Sequence, residues 1–388
     1  MSLCHAPFHQ LDLLAPEDAG ENKSYLSEQI ITYIGNKRTL LPFIDQAVCH
    51  VQNRLGKKKL RLLDLFSGTG VVARFLKQYA ESLITNDMEA YSRVTNQCYL
   101  ANVDASRCRA LTEFVKDVRS QIDKEWGTGF ITELYSPKDE ANITKNDRCF
   151  YTQRNATFLD TAVRIIHRLE EPERTWLLAP LLAEASVHAN TSGVFKGFYK
   201  NDRGVGQFGG TSRDALFRIL GDVSLKVPVF SKFRCSFEVY QQDANTVIHK
   251  LPEVDLAYLD PPYNQHPYGS NYFMLNLLVD YRRPTQISKV SGIPTEWNRS
   301  RFNQRAEAET ALFDIVRNIN AKFVLISYNS EGFVTHDRFM ETLNACGTVT
   351  VMETTYNTFR GSRNLRGRSL HVKEFLYLLE KNGGLHGK

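Results

Sequence analysis

Residues 60–70 of the chain, LRLLDLFSGTG, decide the fold. The apolar run at residues 60–66 is typical of a short buried strand, and a glycine turn at residues 67–70 ends it. A helical pattern follows at residues 71–79. A strand, a glycine turn and a helix in this order form the first half of a βαβ unit, whose turn lets a ligand approach backbone amides at the helix N-terminus.

The rest of the chain repeats this alternation. Further short apolar runs predict strands at residues 82–85, 256–259, 323–327, 348–353 and 373–379. Asp87 follows the first of these runs and lies about 20 residues after Asp64, a spacing that nucleotide-binding folds use. Strands that alternate with helices predict an α/β protein with a doubly wound sheet.

The alternation breaks down between residues 100 and 235. That region contains two strong helical patterns, at residues 156–169 and 173–189, followed by a glycine-rich polar loop at residues 190–212. The loop and helices predict an insertion within the α/β domain, not a separate unit. We therefore predict an N-terminal extension, a divided α/β domain and a mostly helical insertion, at residues 1–24, 25–99 with 236–388, and 100–235.

Composition places the chain among folded soluble proteins. It has 388 residues, of which 42% are hydrophobic and 23% charged, and its formal net charge is +5. The seven cysteines are scattered without a CxxC pair, so we predict no disulfide framework and no metal site, and we expect a cytoplasmic location. The start lacks the segments of a signal peptide, and no apolar stretch reaches the roughly 20 residues that span a bilayer.

The spacing of the glycine turn limits the kinds of nucleotide site that it could form. Its spacing is not GxGxxG, which argues against a dinucleotide site, and no GKS or GKT triplet follows, which excludes a P-loop. Asp87 is suited to accept hydrogen bonds from two ribose hydroxyls, although a helix N-cap would also place an aspartate there. The turn before Asp87 favours the ribose interpretation.

A second motif, Asp260-Pro261-Pro262-Tyr263, follows the apolar run at residues 256–259. An exocyclic amine on a purine is a poor nucleophile, because its lone pair is delocalised into the ring. Hydrogen bonds from the amine to Asp260 and to the Pro261 carbonyl would favour a more tetrahedral nitrogen. Pro262 would hold the geometry, and Tyr263 offers a flat face for the base. A rigid surface turn is the alternative, but the preceding strand and glycine turn favour amine activation.

These motifs resemble a known enzyme family. Residues 64–70 together with 260–263 are similar to the amino-methyltransferases of DNA, and YIGNKR at residues 33–38 is similar to the Dam-like, or alpha-class, adenine enzymes. Three further stretches resemble the adenine methylases of bacterial restriction–modification systems, such as the FokI-type modification enzymes: RCFYTQRNATFLDTAVRII, ANTSGVFKGFYK and YNTFRGSRNL. The resemblance covers residues 30–380. It implies a Rossmann-like class I S-adenosylmethionine-dependent methyltransferase sheet with an inserted target-recognition region.

The resemblance also implies roles for individual residues. S-adenosyl-L-methionine would contact the segment at residues 33–38 (the front segment), the glycine turn and two strand ends. The residues are Tyr33, Gly35, Asn36, Lys37, Asp64, Phe66, Ser67, Gly68, Gly70, Asp87, Asp243 and Ala244. Lys37 would lie near the methionine carboxylate and Asp243 against the adenine. The class often has phenylalanine where Ala244 stands, so another side chain must supply an aromatic wall if stacking is required.

Double-stranded DNA is the expected substrate, with the target adenine flipped out of the duplex. Basic residues among aromatic ones in the insertion loop, and an arginine-rich stretch without acidic residues, predict DNA contacts at Lys196, Lys200, Arg203, Arg213, Arg360, Arg363, Asn364, Arg366 and Arg368. Solvated loops are the alternative. We expect a monomer, because a hemimethylated site presents one target at a time. Restriction–modification membership implies a cognate endonuclease acting on the same site.

The main prediction is therefore N6-adenine methylation at a specific DNA site. N4-cytosine methylation is the nearest alternative, but cytosine enzymes more often carry serine in place of Asp260. RNA or protein-glutamine methylation more often uses asparagine there, and no Pro-Cys pair is present for carbon-5 chemistry. A catalytically inactive DNA-binding partner subunit would usually have lost the glycine turn or the acidic tetrapeptide, and both are intact.

Overall fold

The computed structural model describes residues 20–210, 214–357 and 371–383, and its centre is one seven-stranded sheet. The strands are β1 (Leu60–Asp64), β2 (Ala80–Asp87), β3 (Ser236–Gln241), β4 (Val254–Leu259), β5 (Ala321–Asn329), β6 (Gly347–Asn357) and β7 (His371–Lys381). Their order is β3-β2-β1-β4-β5-β7-β6. β1 to β5 pair in parallel, whereas β7 is antiparallel to both of its neighbours. The predicted doubly wound α/β sheet is confirmed.

Helices connect the strands. Those described are α1 (Lys23–Ser27), α2 (Leu41–Leu55), α3 (Val71–Leu76), α4 (Ala90–Tyr99), α5 (Ala105–Lys124), α6 (Phe130–Tyr135), α7 (Gln153–Ile166), α8 (Glu173–Val187), α9 (Leu216–Leu220), α10 (Ala244–Val247), α11 (Tyr268–Asn271), α12 (Phe273–Asp280), α13 (Arg305–Asn318) and α14 (His336–Cys346). Short 3-10 helices lie at Lys37–Leu40, Lys77–Tyr79 and Arg301–Asn303. Across the described ranges, no helix combines the length and the apolar character needed to cross a membrane.

Each central strand packs against helices on both faces, because neighbouring residues of a strand point in opposite directions. On one face, Leu62 and Leu256 join a core that includes residues of α2 and α3. On the other, Leu63 and Ala257 join a core that includes residues of α10, α13 and α14. Burial on both faces explains why the strands read as nearly continuous apolar runs.

The insertion predicted at residues 100–235 begins directly after α4 and ends directly before β3. It contains α5 to α9, and the described part of it contributes no strand to the sheet. Residues of α7 and α8 share one hydrophobic core with Tyr91 of α4 and Phe273 of α12. The insertion is therefore packed directly onto helices that adjoin the sheet.

Several elements of the structure were not predicted from the sequence, among them an edge strand and a long helix. β3 was overlooked because it is an edge strand whose side chains are half-buried or exposed. The 20-residue helix α5 was overlooked although Leu111, Val115, Val118 and Ile122 form one buried stripe. α1 begins at Lys23, inside the predicted extension, and its side chain Tyr25 is buried. The two helices predicted within the insertion correspond to α7 and α8.

Candidate active site

Acidic side chains converge at one edge of the sheet. Asp64 ends β1, Asp87 ends β2, and Asp260 directly follows β4. The carboxyl ends of parallel strands lie at the same edge, and the direction of strand order reverses where β1 meets β4, which is where ligands bind in such sheets. A cavity opens there that encloses about 880 Å³, including the open solvent at its mouth.

The cavity gathers most of the residues that the sequence singled out. Of the expected cofactor contacts, those in its wall are Tyr33, Gly35, Asn36, Lys37, Asp64, Phe66, Ser67, Gly68, Asp87, Asp243 and Ala244. Asp260 and Pro262 of the tetrapeptide line the same cavity. Gly70, Pro261 and Tyr263 lie outside its wall. The front segment, the glycine turn and the tetrapeptide are thus brought together although they are far apart in sequence.

The glycine turn is shaped by two positive φ angles. Gly68 has φ +49°, its amide donates to Asp87 Oδ2 at 2.8 Å, and a Cβ there would lie 3.4 Å from the Tyr33 ring. Gly70 has φ +76° and precedes α3, and a Cβ on it would lie only 2.8 Å from Asn96 Oδ1. Gly70 therefore allows the turn to pack against α4, while Gly68 brings backbone to the cavity.

Asp87 is both a loop anchor and part of the cavity wall. Its other oxygen, Oδ1, accepts from the amide of Glu89 at 2.9 Å. Burial raises the pKa of Asp87, although these backbone amides oppose the rise. Glu89 is buried in the same wall, where burial and the charge of Asp87 raise its pKa to about 7. Asn276 donates to Glu89 Oε2 at 2.5 Å.

Asp64 is the least compensated carboxylate of the site. It is 1% exposed, and neither oxygen makes a hydrogen bond of normal length within the described structure. Burial and the charges of Asp260 and Asp87 raise its pKa well above the ordinary range, although nearby backbone amides oppose the rise. An uncompensated buried carboxylate favours a cation as its neighbour.

The front segment is held by stacked tyrosines. The Tyr33 ring lies between Tyr268 and Tyr272, with centroid distances of 4.9 and 4.4 Å. The Tyr272 hydroxyl accepts from the amide of Ile34 at 2.7 Å. This stack joins the front segment to α11 and the start of α12, which follow the tetrapeptide. Lys37 is thereby directed into the site.

Lys37 reaches the head of the tetrapeptide. Its Nζ lies 3.2 Å from Asp260 Oδ1 and 2.5 Å from Glu374 Oε1. Burial raises the pKa of Asp260 to about 7, with Lys37 opposing the rise and Glu374 adding to it. The sequence assigned Lys37 to the cofactor and did not anticipate this link to Asp260.

The rest of the tetrapeptide is fixed to the sheet. Pro261 is buried. The Tyr263 carbonyl accepts from the amide of Phe333 at 3.1 Å, and its ring lies edge-on to Tyr328 at 6.0 Å. Lys37 Nζ is 5.7 Å from the centre of the Tyr263 ring. The stiff backbone predicted for two consecutive prolines is therefore anchored on both sides.

One part of the cavity wall was not predicted from the sequence. It is the segment at residues 298–303, which follows α12 in the chain. Asn298, Ser300, Phe302 and Asn303 all line the cavity. The Phe302 ring packs edge-on against Phe66 with centroids 5.1 Å apart, in the same wall as Asp243 and Ala244. Phe66 and Phe302 therefore supply aromatic rings to the wall that contains Ala244, the position at which the family often has phenylalanine. No local motif marks this segment, because it is distant in sequence from the other wall residues.

The predicted DNA contacts divide into two groups. Lys196, Lys200 and Arg203 are exposed on the insertion loop. Arg213, Arg360, Arg363, Asn364, Arg366 and Arg368 lie outside the described residues. The loop is tied to the core because the amide of Phe195 donates to Asn271 at 2.7 Å, and Asn190 donates to Cys149 and Gln207. Partial burial and the charge of Lys196 lower the pKa of His266, which follows the tetrapeptide in the chain.

The arrangement is suited to a cationic ligand and an amine. Several buried carboxylates face one cavity, and in the described ranges no group of three or more histidine, cysteine or acidic residues could hold a metal ion. Asp260 can accept a hydrogen bond from a group that enters the same space.

Comparison with known proteins agrees with this chemistry. The family model described as "D12 class N6 adenine-specific DNA methyltransferase" matches residues 33–341. The chain is 29% identical to Type II methyltransferase M.NlaIII of Neisseria lactamica, over 90% of this chain and 99% of that protein. It is 27% identical to Type II methyltransferase M.CviAII of Paramecium bursaria Chlorella virus 1, over 90% and 98% respectively. With Type II methyltransferase M.FokI of Planomicrobium okeanokoites the identity is 25%, over 90% of this chain and 52% of that protein. The chain belongs to the family of D12 class N6 adenine-specific DNA methyltransferases.

Proposed function

We propose that the protein transfers a methyl group from S-adenosyl-L-methionine to N6 of a flipped adenine at a specific site in double-stranded DNA. The observation that carries the proposal is the position of Asp260, whose carboxylate lies in the same cavity wall as Asp64 and Asp87. An acceptor for the amine and a wall that favours a cation therefore share one space.

The cofactor fits the charge of this cavity. S-adenosyl-L-methionine supplies an electrophilic methyl group on a sulfonium and also carries an ammonium group. Asp64 offers a buried carboxylate that makes no hydrogen bond of normal length in the described structure, which suits that positive charge. Asp87 would accept from the ribose hydroxyls, and Asp243 with Phe66 and Phe302 would hold the adenine ring.

The tetrapeptide activates the target amine. Asp260 and the Pro261 carbonyl accept hydrogen bonds from the two N–H groups of N6, which favours a tetrahedral nitrogen with an available lone pair. Asp260 also stabilises the positive charge that develops on this nitrogen during transfer. Tyr263 offers its ring for stacking the flipped base.

DNA contacts come from the insertion loop and from the arginine-rich stretch. Lys196, Lys200 and Arg203 are exposed on the loop, and Lys196 stands near His266. The arginine-rich stretch lies outside the described residues. We assign its arginines to phosphate contact on the grounds of their charge, since no acidic residue stands between them.

The relatives are named type II methyltransferases, which supports a role in restriction–modification. In the proposed setting, the protein acts as a monomeric modification enzyme in the cytoplasm, paired with an endonuclease that cuts the same site when it is unmethylated.

The decisive experiment identifies the methylated nucleoside. The protein is incubated with tritiated S-adenosyl-L-methionine and unmethylated genomic DNA, and the DNA is digested to nucleosides. We expect labelled N6-methyldeoxyadenosine, and Asp260→Ala should abolish it while cofactor affinity stays nearly unchanged. Labelled N4-methyldeoxycytidine would reassign the base, and cofactor binding without any DNA label would identify a binding subunit.

The DNA surface can be tested separately by salt dependence. The double substitution Lys196→Ala and Lys200→Ala should reduce the slope of log affinity against log salt by about two, because each lysine that neutralises a phosphate contributes about one. Lys58→Ala is the matched control, since Lys58 is exposed next to the start of β1, at the opposite edge of the sheet. An unchanged slope in the double variant would remove these lysines from the interface.

A further inference from the structure

Glu374 is a buried acidic residue that no sequence motif marks. It lies in β7, opposite Asn329 of β5, and is 0% exposed. Because β7 runs antiparallel to β5, its first residues reach the edge where the parallel strands end. Ser327 Oγ donates to Glu374 Oε1 at 2.7 Å, and Asn329 Nδ2 lies 3.4 Å from Oε2. The sheet itself therefore fixes this carboxylate at the site.

The Lys37 ammonium is shared unequally between two carboxylates. Its Nζ is 2.5 Å from Glu374 and 3.2 Å from Asp260. Burial alone would lower the pKa of Lys37, but Asp260 and Glu374 together hold it well above the usual range. The ammonium stays charged, and its shorter contact is with the residue that does not line the cavity.

This division matters because a carboxylate that is fully paired with an ammonium has fewer lone pairs for another donor. If Glu374 were neutral, Lys37 would turn toward Asp260 and take up the oxygen that the target amine needs. We infer that Glu374 is a positioning residue: through Lys37, it keeps Asp260 close to a cation yet available as the acceptor for the amine. This inference rests on the proposed function of Asp260.

Other groups also face Asp260, and their charges have to be considered before a pH effect is assigned to Glu374. Asp64 at the end of β1, Tyr258 of β4 and Tyr268 of α11 all interact electrostatically with it. Burial raises the pKa of both tyrosines well above the ordinary value, so they stay neutral. A substitution at residue 374 therefore changes two things around Asp260. It removes the charge of Glu374, and it alters the position of the Lys37 ammonium.

The test is Glu374→Gln in the full-length protein, because glutamine keeps the shape and an acceptor oxygen but removes the charge. Single-turnover methyl transfer to DNA is measured across pH at saturating cofactor. The acidic limb of the rate profile should move to lower pH by about one unit, because Asp260 loses a repulsive neighbour and the Lys37 ammonium moves closer to it. The plateau rate should fall, but less than in Asp260→Asn, and cofactor affinity should stay within about twofold.

Glu380→Gln is the matched control. It lies on the same strand, its carboxylate pairs with Arg54 instead, and it should leave the profile unchanged. If Glu374→Gln does not fold, Glu374→Asp draws the carboxylate back from Lys37 and Asp260 by one methylene and should shift the limb in the same direction by less. A ¹³C NMR titration of aspartate carboxyls in the free protein, assigned with Asp260→Asn, should show the Asp260 signal titrating at lower pH in Glu374→Gln.

Two results would overturn the inference. One is a lower plateau with an unmoved acidic limb and an unmoved Asp260 signal, which would make Glu374 a structural residue. The other is a variant with the wild-type profile. Failure of the proposed function looks different, because Asp260→Asn would then transfer methyl groups as fast as the wild type.

Discussion

The two ends of strand β4 carry buried carboxylates in opposite electrostatic settings. Near the start of the strand, Asp255 is 0% exposed but lies 2.9 Å from Lys57 Nζ and accepts from the Arg61 amide at 2.9 Å. Burial would raise its pKa, yet Arg61 and Lys57 hold it below the usual range. Just past the other end, burial raises the pKa of Asp260 to about 7, and its cation is shared with Glu374.

The difference separates a carboxylate that serves the fold from one that serves a reaction. Asp255 has its positive partners built into the protein, with Lys322 Nζ also 3.5 Å away. Asp64 and Asp260 instead repel each other across a cavity. The charge of Asp64, which no cation of the protein compensates in the described structure, is unfavourable in the free protein and becomes favourable when a cationic ligand arrives.

The largest expected effect is on catalysis at Asp260. Asp260→Asn should lower the single-turnover rate of methyl transfer by about a thousandfold, comparable with loss of one aligned group at a charge-stabilising site. The amide keeps the shape but not the negative charge that supports the amine. Asp255→Asn is the control and should retain the wild-type rate per folded molecule. Equal losses in both variants would erase the distinction between the two ends.

A second comparison concerns stability. Asp255→Asn should lower the free energy of unfolding by about 2 kcal/mol, because it weakens the acceptor of buried and charged donors. Urea denaturation followed by circular dichroism measures this change. Asp260→Asn should cost less, since the carboxylate that it removes is poorly compensated. A greater loss at Asp260 than at Asp255 would contradict the assignment of Asp255 to the fold.

The smallest effect is the pH dependence of cofactor stabilisation. The raised pKa values of Asp260 and Glu89, each about 7, mean that the folded protein binds more protons than the unfolded chain below that pH. The contribution of these groups to stability is therefore present at low pH and is lost as the pH rises through about 7. A cationic cofactor opposes the part of that loss that comes from Glu89, which lies in the cavity wall with Asp64, whereas Asp260 serves the amine.

The rise in Tm on adding S-adenosyl-L-methionine should accordingly be larger at about pH 8 than at about pH 6. Differential scanning fluorimetry at matched ionic strength measures it. Asp64→Asn should reduce the rise at the higher pH, because one uncompensated carboxylate is gone. The same rise at both pH values in the wild type would mean that the cofactor's charge does not reach these carboxylates.

Local motifs were readable from the sequence because their chemistry is local. The turn at Gly68 and the rigid tetrapeptide that begins at Asp260 each combine a strand end with unusual backbone residues, so both the sheet and much of the cavity could be predicted. Glu374 and Phe302 could not. Neither residue is part of a recognisable sequence motif. Glu374 reaches the site only because β7 runs antiparallel to β5, and Phe302 only because the chain returns to the cavity after α12.

The shared core of residues 100–235 has a consequence for exchanging this segment between relatives. Residues of α7 and α8 pack in one cluster with α4 and α12, and Phe195 of the loop contacts Phe273. Exchanging residues 100–235 between relatives as a cassette would therefore replace half of a close-packed interface and leave mismatched apolar surfaces. A chimera that folds has to carry the facing residues of α4 and α12 along with the cassette.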